Sequence, residues 1–137
     1  FNTDVLIIRF LQTLPEADST EQNPHHFMEN FSRTLVEALR FAAADIMEIQ
    51  SSEFRSSYRL HGEIVDIILY DSVSGGAGYC KRLKGMSILD LLKSTLKQLD
   101  CPKECSTSCS ECLCDYSNQR YWDQLDRNPV RQWLYEI

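Results

Sequence analysis

The sequence predicts a mixed α+β fold, in which a small and at least partly antiparallel sheet is packed by two main helices. Three observations lead to this prediction. Short runs of β-branched and apolar residues occur in the first half of the chain, helical periodicity marks two longer segments, and five of the six cysteines lie in residues 101–114. We expect this cysteine loop and a C-terminal helix to complete a single domain that spans residues 1–137.

Three segments are predicted to be strands. The apolar run TDVLIIRFL at residues 3–11 is typical of a buried strand. Residues 51–60 and 63–71 also have strand character, and His61 with Gly62 supplies turn residues between them. The two later segments are therefore expected to form an antiparallel hairpin.

Helices are predicted over residues 26–48 and 87–99, where apolar side chains recur every three or four positions. Ser87 and Asp90 resemble a capping box at the start of the second helix. The Asn-Pro dipeptide at residues 128–129 is typical of an N-cap followed by proline, which predicts a final helix at the end of the chain. The aromatic and polar stretch DYSNQRYWDQL before it is expected to be irregular.

Charge and hydropathy limit the functional classes. The net charge is −6 and the isoelectric point is about 5.0, so no global positive field attracts nucleic acid, although a local basic patch is compatible with these totals. No stretch approaches eighteen consecutive apolar residues, so we expect no membrane span. The first residues lack both an initiating methionine and the features of a secretory signal. We therefore expect a cytoplasmic piece of a longer protein.

The cysteine loop is the strongest chemical signal in the sequence. Its spacing is Cys101-x3-Cys105-x3-Cys109-x2-Cys112-x-Cys114. A structural Zn²⁺ takes four thiolates in a tetrahedron, and the two-residue spacing suits a knuckle whose N–H groups can bond to sulfur. A polar, serine-rich loop buries few apolar side chains, so a bound metal ion is needed to hold its fold. We predict that the zinc ligands are Cys101, Cys105, Cys109 and Cys112, with Cys114 as the alternative fourth ligand.

Two other fates of these thiols compete with zinc. Six cysteines could form three disulfides, but their clustering in a chain without a secretory signal argues against this. An iron–sulfur cluster would also accept four thiolates. A zinc ion with four thiolates has no open position, so the predicted site is structural rather than catalytic. Cys80 is expected to be a small buried hydrophobe, and His25 and His26 to be solvated loop residues.

A glycine-rich turn follows the third predicted strand. Gly75, Gly76 and Gly78 precede a short helix, and such a turn can direct backbone N–H groups toward a phosphate. The spacing matches neither GxxxxGK[ST] nor GxGxxG. A structural role, in which glycine permits positive φ or close backbone approach, is therefore the favoured interpretation, and phosphate binding is the alternative.

The stretch YDSVSGGAGYCKRL, the leucine-rich helix and the stretch CPKECSTSCSECLCDYSNQRYWDQLDR together resemble the MZB-type zinc-binding domain. That family commonly lies at or near the C-terminus of DEAD/DEAH-type DNA helicases, and it also occurs in a non-nuclease component of the DISARM phage-defence system. TDVLIIRF and ALRFAAADIMEI fit its N-terminal half, so the resemblance covers nearly the whole chain. Many members have one residue between the first two cysteines, whereas Cys101 and Cys105 have three.

The resemblance implies a non-catalytic accessory domain of a DNA-processing machine. It would brace helicase motor domains in the same chain or a partner subunit, line the path of a DNA strand, or dock a partner. DNA phosphates would contact the glycine turn and the one local basic cluster: Gly75, Gly76, Gly78, Lys81, Arg82 and Lys84. Tyr116, Tyr121 and Trp122 would either stack on bases or, as the favoured interpretation, pack around the zinc loop.

Two functions from other classes compete with this one. Asp4, Glu53 and Asp71 lie at predicted strand ends and could converge as a divalent-metal nuclease site, although isolated acids near strands are usually solvated or capping. The other alternative is a protein–protein interaction module in which zinc is purely structural. The acidic charge of the chain favours this module over autonomous DNA binding.

Overall fold

The computed structural model describes residues 3–17, 23–73 and 76–137. In chain order the elements are β1 (Val5–Phe10), α1 (Pro24–Met47), a 3-10 turn (Ser51–Glu53), β2 (Phe54–His61), β3 (Ile64–Asp71), α2 (Tyr79–Lys84), α3 (Ile88–Leu99), a longer 3-10 segment (Tyr116–Gln124) and α4 (Arg127–Glu136). Tyr116–Gln124 is the 3-10 segment. Within the described ranges, no helix combines the length and apolar composition that crossing a membrane requires.

The three strands form one antiparallel sheet in the order β1-β3-β2. The central strand, β3, is buried because it is paired on both sides and covered on one face, where Val65, Ile67 and Leu69 point into the core. On the other face Arg9 of β1 makes two hydrogen bonds to Asp66 of β3, at 2.7 and 3.0 Å. The predicted mixed α+β class and antiparallel hairpin are therefore confirmed.

Helix α1 lies on the sheet and is surrounded on all sides through its middle. The ten consecutive residues 31–40 are all buried, although Arg33, Glu37 and Arg40 are among them. An amphipathic surface helix would expose such residues. The predicted helix is confirmed, but its polar face is covered by other parts of the chain instead of by water.

The remaining helices build outward from α1. Helix α3 packs chiefly against α1 and α4 rather than against the sheet, so the sheet, α1 and the α3–α4 pair form successive layers. Trp133 of α4 joins the layers, with ring centroids 5.4 Å from Phe10 and 5.5 Å from Phe31. Its indole N–H donates to the carbonyl of Thr13 at 3.0 Å. The first strand is thus tied to the last helix through aromatic packing.

Several predicted boundaries differ from the structure for local chemical reasons. Helix α4 begins at Arg127, because the Asp126 side chain accepts the Asn128 N–H at 3.1 Å, so Asp126 is the N-cap and the predicted Asn128 cap is wrong. The stretch expected to be irregular is the 3-10 segment. Its start is fixed by a capping box in which Asp115 and Asn118 exchange hydrogen bonds. Ser87 does cap α3, accepting from the Asp90 N–H.

Candidate metal centre

The zinc loop, residues 101–114, begins where α3 ends. Two backbone carbonyls, one in each half of the loop, accept the hydrogen bonds that form its turns. The Cys101 carbonyl accepts from the Glu104 N–H, and the Cys109 carbonyl accepts from the N–H groups of Cys112, Leu113 and Cys114. Short turns of this kind bring residues three or four apart to one side of the backbone. The sulfurs of the loop can therefore face a common point.

Four sulfurs converge at that point. The Sγ atoms of Cys101, Cys105, Cys109 and Cys112 all lie within 4.8 Å of one another, with individual separations of 3.5, 3.7 and 3.9 Å. A tetrahedral ion with Zn–S bonds of about 2.3 Å separates its sulfurs by about 3.8 Å. The cluster therefore fits a zinc ion. All six cysteines of the chain are free thiols, so the disulfide alternative is not observed.

The remaining thiols lie outside this cluster. The Cys114 Sγ donates instead to the Ser108 hydroxyl at 3.5 Å. Cys80 is fully buried in the core, as predicted, and its Sγ donates to the Leu69 carbonyl. Burial, followed by the neighbouring Asp71 carboxylate, raises the pKa of the Cys80 thiol to about 12. Cys80 is thus an inert core residue.

Electrostatics differ among the four clustered sulfurs. The backbone N–H of Cys105, helped by that of Lys103, lowers the pKa of the Cys101 thiol to about 6. Burial raises the pKa of the Cys112 thiol. A bound dication would stabilise thiolate at every position, since metal binding and deprotonation of a cysteine are coupled.

Residues outside the loop hold its backbone. The Arg127 guanidinium donates to the Cys105 carbonyl at 2.7 and 3.2 Å and to the Leu99 carbonyl at 3.2 Å. Asn128 donates to the Ser106 carbonyl. The Arg127 charge also lies close to the sulfurs and offsets their negative charge. This role could not be predicted from the sequence, because Arg127 follows the last cysteine by thirteen residues and belongs to α4.

The geometry can now be compared with known proteins. A family model described as the MrfA Zn-binding domain, MZB, matches residues 35–113, which is more than half of the chain. The chain belongs to the MZB family. The matched range contains all four clustered cysteines and ends one residue before Cys114. The family description and the four-sulfur cluster together identify zinc as the cofactor of this MZB domain.

The relatives are much longer than this MZB chain. Druantia protein DruE of Escherichia coli (strain UMEA 4076-1) is 35% identical over an alignment of 137 positions, which covers 93% of this chain and 7% of that protein. The crystal structure of the DUF1998 helicase MrfA bound to DNA superimposes with a TM-score of 0.60 at 15% identity, covering 87% of this chain and 16% of that one. The second likeness shows a shared fold.

The glycine-rich turn, for which a structural role is the favoured interpretation and phosphate binding the alternative, makes hydrogen bonds within the MZB domain itself. Gly75 lies outside the described residues. Gly76 has φ 80°, and a side chain there would collide with Asp4. The Asp71 carboxylate accepts the N–H groups of Ala77 and Gly78 at 2.8 and 3.0 Å and that of Cys80 at 3.1 Å. These backbone donors are therefore occupied by an internal anion.

The basic cluster beside that turn is exposed. The side chains of Lys81, Arg82 and Lys84 of α2 face solvent, and within the described ranges none of the three makes a side-chain hydrogen bond or an ion pair. A phosphate contact at this end of the domain would rest on these three side chains rather than on the backbone of the turn.

The acids of the nuclease alternative do not assemble into a site. Asp71 is fully buried and bonded to the turn described above, and Asp4 lies against Gly76. Across the part of the chain that the structure describes, the four-cysteine cluster is the one group of Cys, His, Asp or Glu side chains close enough to hold a metal ion. Asp4, Glu53 and Asp71 are therefore not arranged for divalent-metal catalysis, and neither His25 nor His26 joins such a group.

A polar cluster that the sequence did not predict lies between α1 and the 3-10 segment. Glu37 is 1% exposed and Arg40 is 3% exposed. Arg40 donates to Glu37 at 3.1 Å and to Asp115 at 3.3 Å, and the Asn118 amide donates to Glu37 at 2.8 Å. These four residues are called the polar layer below. Their charges and donors satisfy one another, which offsets the cost of burying them.

Asn118 connects the polar layer to the zinc loop. Its amide nitrogen donates to the Leu113 carbonyl at 2.8 Å as well as to Glu37. Its amide oxygen accepts from the Asp115 N–H and from the Trp122 indole N–H. One buried side chain thus links the loop, α1 and the 3-10 segment.

The three aromatic residues expected either to stack on bases or to pack around the zinc loop lie in different environments in the structure. The ring of Tyr121 lies 3.9 Å from the Arg33 guanidinium, which has no hydrogen-bond partner for its Nε and Nη1 atoms and which also contacts Tyr58. Trp122 is hydrogen-bonded through its indole N–H. Tyr116 is 90% exposed. These contacts account for Tyr121 and for the indole N–H of Trp122, which is 39% exposed, but they do not account for Tyr116.

Proposed function

We propose that this MZB domain is a non-catalytic accessory module of a larger DNA-helicase or phage-defence machine. In this proposal Cys101, Cys105, Cys109 and Cys112 hold a structural zinc ion, with Cys114 left as a spare thiol. The converging sulfurs carry the proposal, because four thiolates complete the coordination of zinc and leave no open position for a substrate or a reactive water. The zinc would make an otherwise polar loop rigid enough to brace neighbouring domains.

The comparisons support the setting of this module. One relative is a Druantia protein, and the matched structure is that of a helicase bound to DNA. The chain spans 7% of the first protein and 16% of the second. We infer that the domain contacts motor domains in the same chain or in a partner subunit. A reduced thiol cluster suits a cytoplasmic location, which is part of the proposal.

Direct DNA contact is the finer part of the proposal. The exposed side chains of Lys81, Arg82 and Lys84 would meet phosphates next to Gly76 and Gly78. The alternative is an interaction module whose zinc only stabilises the fold, which the net charge of −6 favours. Salt-dependent DNA binding that is lost on neutralising these three cations would support the first option and contradict the second.

Elemental mass spectrometry on protein purified without added metal tests the central claim. We expect one zinc per chain and six reactive thiols after denaturation and chelation. Three disulfides and no metal, or iron in place of zinc, would overturn the proposal. A Cys109→Ser variant that keeps a full zinc equivalent would contradict the ligand assignment while leaving the accessory role open to separate tests.

A further inference from the structure

A groove with a volume of about 790 Å³ runs beside β2, between that strand and the 3-10 segment. Strand β2 is an edge of the sheet, so the groove follows a border where the sheet ends. Residues of both walls line it, among them Arg55, Tyr70, Tyr116, Arg120 and Tyr121. The groove lies apart from the four clustered cysteines and from Lys81, Arg82 and Lys84, none of which lines it.

The charge of this groove is opposite to that of the whole chain. Three arginines line it with a single carboxylate, that of Glu37. Glu37 and Arg40 are bonded to each other in the polar layer. Arg55 and Arg120 are exposed, and no carboxylate in the described ranges pairs with either guanidinium. Although the net charge of the chain is −6, this groove therefore contains two cations that have no carboxylate partner.

Aromatic side chains line the same groove as these cations. Tyr116 is 90% exposed at the groove, which leaves its ring available for stacking. The Arg120 guanidinium lies 5.0 Å from the centroid of the Tyr121 ring, and the Arg33 guanidinium lies 3.9 Å from the same centroid. Guanidinium groups next to free aromatic faces are the chemistry that binds phosphates and unpaired bases together.

The groove has a rigid wall. The polar layer fixes the start of the 3-10 segment, because the capping box of Asp115 and Asn118 is bonded to Arg40 and Glu37 of α1. Ser56 of β2 also donates to Glu37, at 2.5 Å. Both walls are thus tied to the same buried carboxylate. A preformed wall lowers the ordering cost of binding a flexible strand.

We propose that this groove binds a single-stranded segment of nucleic acid, with phosphates on Arg55 and Arg120 and a base stacked on Tyr116. The inference rests on the proposed function and adds a second surface for nucleic-acid contact, apart from Lys81, Arg82 and Lys84. A duplex hides its base faces in the helical stack, so stacking on Tyr116 requires an unpaired base. The groove therefore prefers single strands to duplex.

Fluorescence anisotropy of a 5′-fluorescein-labelled dT12 oligonucleotide, titrated with the zinc-loaded 137-residue chain, tests this inference. We expect Arg55→Gln with Arg120→Gln to weaken binding at least about tenfold and to reduce the slope of log K against log salt by about 1.4, which is two single-strand phosphate contacts. Tyr116→Ala should weaken binding about tenfold, and Tyr116→Phe should retain it, because phenylalanine still stacks.

Arg59→Gln is the matched control, since Arg59 also lies exposed on β2 but does not line the groove. Unchanged zinc content and thermal unfolding show that each variant is folded. An equal loss of binding with Arg59→Gln, tighter binding of a 12-base-pair duplex, or equal binding of an acidic peptide of matched charge would overturn the inference.

Two further results separate this inference from the proposed function. If neutralising Lys81, Arg82 and Lys84 abolishes binding while the groove variants bind normally, DNA contact stands and the groove inference fails. If the zinc-loaded, folded chain binds no dT12 at all, the groove inference fails and the accessory role rests on its protein contacts. If no zinc is present, the proposed function itself fails.

Discussion

The zinc loop and the polar layer both attach irregular chain to the helical core, but they do so by opposite means. The loop gathers four sulfurs from twelve consecutive residues, 101–112, and needs a metal ion to hold them. The polar layer gathers side chains 75 and 81 positions apart and needs only hydrogen bonds and charge pairing. The first depends on cofactor supply, whereas the second depends on pairing among side chains that are mostly buried.

This difference predicts two separate modes of failure. Loss of zinc should release the loop and leave α1 in contact with the 3-10 segment. Loss of one charged member of the polar layer should leave a buried charge with fewer partners while zinc stays bound. Three variants test this separation, from the largest expected effect to the smallest, and the titration of one carboxyl on the sheet adds a still smaller, local effect.

Cys109→Ser should produce the largest change, because structural zinc contributes on the order of 10 kcal/mol to the folding of small zinc modules. We expect loss of zinc and a fall in the midpoint of thermal unfolding of more than about 10 °C. Differential scanning calorimetry with parallel metal analysis measures both. Cys114→Ser is the control and should keep its zinc, so zinc loss in that variant instead would show that the alternative ligand is the true one.

Glu37→Gln should destabilise the fold by about 3 kcal/mol, because it removes the carboxylate that pairs with the buried Arg40 and leaves only Asp115 to offset that charge. Urea denaturation measures the free energy of unfolding. Zinc content should not change.

Glu29→Gln is the control on the same helix. The Glu29 carboxylate is partly exposed, and its ion-pair partner at 3.5 Å is the exposed side chain of His25. Its effect should lie within about 0.5 kcal/mol. Equal effects of the two variants would contradict the special role assigned to the polar layer.

Arg127→Gln should weaken zinc binding by about 10- to 100-fold, because the guanidinium positions the Cys105 and Leu99 carbonyls and lies next to the sulfurs. Competition with a chromophoric chelator gives the zinc affinity. Arg131→Gln is the control on the same helix, since its ion pair with Asp100 is solvent-exposed. Arg127→Lys tests charge alone and should recover only part of the affinity, since lysine lacks the planar fork.

Asp66 provides the smallest and most local test. Hydrogen bonds from Arg9, with a smaller contribution from His61, lower the pKa of the Asp66 carboxyl to about 2. A pKa below that of the unfolded chain means that this interaction stabilises the fold above about pH 4 and is lost as the pH falls toward 2. NMR titration of the side-chain carboxyl carbon measures the midpoint.

Arg9→Gln should raise the pKa of Asp66 toward its ordinary value. Arg59→Gln should not, although Arg59 is paired in register with the same aspartate, because no hydrogen bond joins their side chains. A midpoint for Asp66 near 4 in the unmodified chain would contradict the assigned hydrogen bonding.

The elements and the thiol cluster could be predicted because their signals are local. Periodicity located α1, α3 and the hairpin, and the cysteine spacing located the loop. The sulfurs of the four predicted ligands are the four that converge. A four-thiolate zinc site can be predicted in this way because it depends on the type and spacing of residues that are close in sequence.

The polar layer could not be predicted because its partners are remote in sequence. Glu37 and Arg40 have the pattern of a solvated helix face, and nothing in a single sequence shows that the 3-10 segment will cover them. The Asp-x-x-Asn spacing at 115 and 118 was a weak capping signal that could have predicted ordered structure there. The placement of Arg55, Arg120 and Tyr116 at one groove is likewise a product of tertiary packing.

The hydrogen bond from the Trp122 indole to Asn118 gives the molecule a built-in optical reporter. The chain has two tryptophans, and the other, Trp133, is buried between Phe10 and Phe31. The half-exposed Trp122 should emit at longer wavelength than the buried Trp133. A red shift in one component without the other would therefore distinguish detachment of the 3-10 segment from opening of the core, with no label attached.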